Sequence, residues 1–144
     1  MKAKSKKPQQ MMDDAHYIAL AGFRHALRQL MADSEQICAA SGLTTQRFQA
    51  LLAIRASKDH SMSVGALAEG LILKHHSAVE LAGRLELAGL INRESDPIDK
   101  RRVLLTLTAV GVARLDELAR EHGVALGQNR EIIIESLKAL PGAD

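Results

Sequence analysis

The sequence predicts a mainly α-helical protein built around a winged helix-turn-helix with a β-hairpin wing, and three observations carry that expectation. Between residues 45 and 88 three successive stretches place their apolar residues at helical spacing. After Gly89 the period changes, and residues 90–93 and 102–107 read as strands around a polar, Pro-containing turn at residues 95–100. Longer helical stretches flank this centre on both sides.

Residues 1–10 read as a basic flexible tail, with Lys2, Lys4, Lys6 and Lys7 ahead of Pro8. Residues 13–40 contain one Gly and no Pro, and apolar residues recur at Ile18, Leu20, Phe23, Leu27, Leu30, Met31 and Ile37. Asp13 or Asp14 can cap that helix. At about 1.5 Å per residue it would be long for a small domain, which suggests packing on a partner. Ser41-Gly42 breaks the pattern, and Thr44 or Thr45 offers the next N-cap. A second helix follows with Phe48, Leu51, Leu52 and Ile54, and Ser63 caps a short third with Leu67, Ala68 and Leu71. The fourth runs from about Lys74 to Ala88, with Ala78, Leu81, Ala82 and Leu85 on one face, and Gly89 stops it. Thr108 caps a fifth helix, which Gly123 and Gly127 are expected to interrupt. A last helix spans about residues 129–140 and ends before Pro141-Gly142.

At 144 residues the chain fits one domain, taken as residues 11–144. Its apolar fraction of 47% and charged fraction of 25% are those of a soluble globular protein. Aromatic residues make up only 2%, which argues against base-stacking platforms for single strands. The formal net charge is +2, but setting aside the four tail lysines leaves the remainder near −2. A nucleic-acid binder of this kind must concentrate its positive charge on one face. Cys38 is the only cysteine, the N-terminal stretch lacks an apolar signal-peptide core, and no apolar run reaches membrane-spanning length. These features point to a cytoplasmic protein without a membrane partner.

Residue sizes suit the helix-turn-helix. Ala68 is small where the motif's two helices cross, Leu73 is apolar in the turn, and Ala78 with Ala82 keeps the inner side of the fourth helix thin. Residues 43–118 resemble the MarR family of bacterial regulators. The resemblance rests on Leu43-Thr44 with Phe48 and Leu51, on Leu67-Ala68-Glu69 with Leu71, and on the run from Arg84 through Leu85, Glu86, Gly89, Leu90 and Ile91. It rests also on Asp96-Pro97-Ile98-Asp99-Lys100-Arg101 and on Leu107-Thr108 with Gly111. The resemblance implies a homodimer joined through the terminal helices, residues 11–42 and 109–144, around a DNA-binding lobe at residues 43–108. It also implies a transcriptional repressor that binds a pseudo-palindromic operator and is released by a small-molecule effector or another signal. Ile72 and Lys74 depart from the Gly and Ser usual at this junction.

A recognition helix entering the major groove would present Lys74, His75, His76 and Ser77 first, then Val79 and Glu80, with Arg84 a turn further on at a phosphate. Glu80 is either an acceptor for a cytosine amino group or a solvated rim charge. In the wing, Arg93, Asp99, Lys100, Arg101 and Arg102 are the candidates, with Asp99 and Arg101 paired across the turn and the cations suited to a narrow minor groove. Phe23, Leu27, Phe48 and Leu52 are the candidate lining of an effector pocket between the dimer helices and the lobe.

His76 and Glu80 stand i, i+4, and the histidines show no closer cluster, although His16, His25 and His122 could meet in a dimer; no metal site is assigned. Cys38 reads as a small buried thiol, with a redox-sensing role, known in some MarR-like proteins, as the alternative. Phosphate loops, nucleophile elbows and metalloprotease signatures are absent, and neither catalytic residues nor a cofactor is expected. The alternative is a winged-helix module for protein assembly without specific DNA binding.

Overall fold

The computed structural model describes residues 11–142. In chain order the elements are α1 (Asp14–Ala40), α2 (Thr45–Ala56), a 3-10 turn at Lys58–His60, β1 (Ser61–Ser63), α3 (Val64–Gly70) and α4 (His75–Leu87). Then come β2 (Ile91–Ser95), β3 (Val103–Leu107), α5 (Ala109–Gln128) and α6 (Arg130–Ala139). The fold is mainly helical, with one small antiparallel sheet in the order β1-β3-β2.

Side-chain caps set most helix starts. The Asp13 carboxylate accepts the His16 backbone N–H at 3.0 Å, and the His16 imidazole Nδ1 accepts the Asp13 N–H at 3.1 Å. The pair closes the start of α1 in the reciprocal manner of a capping box. Thr44 caps α2 through Arg47 N–H, and Ser63 caps α3 through Ala66 N–H. Thr108 accepts from Gly111 N–H at 3.0 Å and donates to the Gly89 carbonyl, tying the start of α5 to the end of α4.

Two departures from the sequence reading stand out. The sheet has a third strand, β1, where only a hairpin was expected; Met62 lies opposite Leu105 of β3. Three residues, Ser-Met-Ser, are too few to show a period, and the pairing with β3 makes them a strand. Secondly, α5 runs unbroken through Gly123 and Gly127 to Gln128. Glycine in a helix costs only about 1 kcal/mol per residue and does not by itself end one. The break comes at Asn129, whose side-chain amide donates to the Ala125 carbonyl at 3.0 Å.

The chain separates into two compact units, residues 34–123 and the two terminal segments up to Asp33 and from Val124. The central unit holds a continuous core in which Leu51, Ile54, Leu67, Leu85, Ile91, Leu105 and Leu118 are fully enclosed. It takes in the end of α1 and most of α5 because Cys38, Leu115 and Leu118 pack in that core. In the terminal unit α1 and α6 approach closely at Gly22, where a Cβ would stand 3.3 Å from Ser136 Oγ.

Candidate nucleic-acid interface

The helix-turn-helix consists of α3, a tight turn, and α4. Leu73 donates its N–H to the Ala68 carbonyl at 2.8 Å and Ile72 donates to Glu69 at 3.2 Å, the paired closure of a Schellman motif. The same pattern ends α1 at Gly42 and α4 at Gly89, where φ is +70° and +71°. In the helix-turn-helix the left-handed position belongs to Ile72, at φ +55° and 93% exposed.

Ala78, Leu81, Ala82 and Leu85 bury one side of α4, which fixes the other side outward. Lys74 holds the N-cap position without a side-chain cap, so the first backbone N–H groups of α4 are left for an outside acceptor. His75 and Val79 line a cleft of about 310 Å³ together with Ser63, Val64 and Gly65 and with Arg93, Arg101, Arg102 and Val103 of the wing. Ser77, Glu80 and Arg84 instead border a shallower hollow with Gln46 of α2 and Leu73. His76 is exposed. Five of the sequence-predicted helix residues thus divide between two concavities on either side of α4, and Lys74 and His76 line neither. Glu80 and Arg84 form an ion pair one turn apart on the exposed surface.

The wing tip is tightly ordered by its own polar groups. The Asp99 carboxylate accepts the Arg101 backbone N–H at 3.1 Å and its guanidinium Nε at 3.4 Å. Asp96, almost fully buried, accepts the Ile98 N–H at 2.9 Å and lies 3.9 Å from the Arg102 guanidinium. Backbone bonds from Asp96 to Arg102 and from Arg102 to Asp99 close the loop. Lys100 and Arg101 project into solvent. Sequence reasoning placed Asp96 in the wing motif but gave it no buried role; its spacing two residues before Ile98, an Asx-turn signal, was the available clue. It also missed Gln46 and residues 63–65, which reach the clefts only through the packing of α2 and α3.

Of the four residues expected to line an effector pocket, Phe48 is a core residue. Its ring stacks on the His122 imidazole with centroids 3.9 Å apart. His122 Nδ1 donates to the Leu118 carbonyl, and its Nε2 is 2.8 Å from Ser34 Oγ. Leu52, on α2, is 43% exposed. Phe23 and Leu27 lie on the part of α1 that belongs to the terminal unit, Phe23 half-buried and Leu27 exposed. Cys38 is 1% exposed; burial pushes its thiol above the usual range, opposed by a hydrogen bond from Ser34. Among the described residues no helix is long and apolar enough to cross a membrane.

Comparison with known proteins agrees with this architecture. The MarR family model matches residues 41–102, from just after α1 to the wing loop, stopping short of β3. The HTH-type transcriptional repressor YetL of Bacillus subtilis (strain 168) is 30% identical over 88 residues, 61% of this chain and 53% of the relative. The chain therefore spans about half the length of that relative. Among solved structures, AbsC, a MarR family transcriptional regulator from Streptomyces coelicolor, superposes with a TM-score of 0.70 at 21% identity, covering 84% of this chain and 82% of that one. Sco3205, another MarR family transcriptional regulator from Streptomyces coelicolor, solved in complex with DNA, gives 0.68 at 20% identity over 84% and 77%. At these identities the likeness is one of fold. The chain thus shares the fold of MarR family regulators, and its residues 41–102 are similar to that family in sequence.

Proposed function

We propose that the protein is a transcriptional repressor that binds double-stranded DNA, with α4 in the major groove and the wing in the adjacent minor groove. The observation that carries this reading is the cleft in which His75 and Val79 of α4 face Arg93, Arg101 and Arg102 of the wing. Positive charge is concentrated there although the chain as a whole carries only +2. A concave, basic surface bordered by a thin-backed helix and a rigid hairpin matches a phosphate backbone running between two grooves. The uncapped start of α4 adds backbone and imidazole N–H donors, and Lys74 a cation, at the same end.

The working form is a homodimer on a pseudo-palindromic operator. The terminal unit leaves Ile18, Met31 and Val124 more than 60% exposed, at 74%, 62% and 63%. Apolar surface of that extent favours a protein partner. A ligand or other signal with unequal affinity for two dimer conformations would release the operator. Sedimentation tests the dimer, and fluorescence anisotropy with random-sequence duplex DNA tests the DNA reading. Binding that weakens steeply between low and moderate salt supports it. Absence of binding at low salt supports an assembly module instead.

A further inference from the structure

The apex of the wing holds an aliphatic side chain in the open. Ile98 is 96% exposed. Single exposed aliphatic residues are common on protein surfaces. Here the backbone is held: the buried Asp96 carboxylate binds the Ile98 N–H at 2.9 Å, and the ring of Pro97 fixes the residue between them. The loop is closed on both sides by backbone bonds of Arg102. Arg101, three residues on in the same loop, has a side chain 93% exposed. A rigid tip that pairs an aliphatic residue with cations has the composition of a minor-groove probe. The cations lie near the phosphates and the aliphatic group reaches the floor.

We infer that Ile98 is a specificity-determining residue that enters the DNA minor groove and selects against G·C pairs there, an inference that rests on the DNA-binding role proposed above. The floor of the groove at A·T pairs presents acceptors only, whereas G·C adds the guanine 2-amino group. Ile98 pressed against that amino group strips its water and supplies no acceptor, so a donor is left unsatisfied. The amino group also projects from the floor and holds the side chain away. At A·T pairs Arg101, carried by the same loop, can donate to the acceptors.

The test uses the full chain and a duplex recovered by selection from a random pool. Each A·T pair is replaced singly by G·C and by inosine·C. Inosine keeps guanine's major-groove edge and lacks the 2-amino group, so the pair of replacements separates the two grooves. For the wild-type chain we expect positions where G·C weakens binding about tenfold and inosine·C restores it. In Ile98→Ala that penalty should shrink to about twofold, with unchanged thermal unfolding. An equal penalty in Ile98→Ala, or no position that inosine relieves, overturns the inference and leaves the DNA-binding role intact. Failure of the wild-type chain to retain any duplex overturns both.

Discussion

The backbone N–H of Leu73 reaches back to the carbonyl of Ala68 at 2.8 Å, and that closure forces Ile72, a β-branched residue, to φ +55°. The two equivalent closures use Gly42 and Gly89. A side chain in the left-handed region costs about 1–2 kcal/mol, and more readily so when branched at Cβ. Ile72 is exposed, so no packing offsets the cost. Ile72→Gly should therefore raise stability by about 1 kcal/mol, read from denaturant midpoints, despite the greater freedom of glycine in the unfolded chain.

Gly111 gives the opposite case. A Cβ at this position would stand 2.0 Å from the Leu90 carbonyl oxygen, which already accepts the Thr108 N–H at 3.1 Å. The obstructing atom is backbone and cannot rotate away. Gly111→Ala should lower stability by about 3 kcal/mol or more. A loss below 1 kcal/mol would mean that α5 shifts freely on β2.

Two wing residues should separate binding from folding. Arg101 projects into solvent, so Arg101→Ala should weaken duplex binding at least tenfold with no change in the unfolding curve, by about the 1.4 kcal/mol that corresponds to that factor. Asp96 is buried and satisfies the Ile98 N–H. Asp96→Ala should cost about 1–2 kcal/mol of stability and also weaken binding, because the tip that carries the cations loosens. Parallel gel-shift titrations and thermal melts check both.

Cys38 should react slowly. Its thiol is enclosed, and burial raises its pKa above the ordinary 9.0, so the nucleophilic thiolate is scarce at pH 8. Native protein should resist a disulfide reagent at pH 8 for hours and react fully in guanidinium. The sign of the linkage follows: a raised pKa in the fold contributes stability below pH 9, and this contribution fades as pH rises through the folded value. Rapid native labelling would reopen a sensing role.

Much of the fold was legible because it rests on local signals. Thr44, Ser63 and Thr108 cap the helices they precede, and Gly89 stops α4, since each acts through bonds to residues within a few positions. What was illegible depends on pairing across the chain. β1 exists because β3, some forty residues on, lies beside it, and the cleft with His75 forms only when the wing folds back toward α4. The division of α4 residues between two hollows has the same origin. Gln46 borders one of them from a helix the sequence did not connect with recognition. The buried role of Asp96 was hidden for a simpler reason: a carboxylate in a turn looks solvated until its neighbours are placed.

The central claim is that α4 reads the major groove while the wing lies in the minor groove. Dimethyl sulfate footprinting tests it directly, because the reagent marks guanine N7 in the major groove and adenine N3 in the minor groove. The expected result is protected guanine N7 in two half-sites about 10 base pairs apart, each flanked by protected adenine N3 that Arg101→Ala exposes. Protection confined to one groove, or flanking protection indifferent to Arg101, would contradict it.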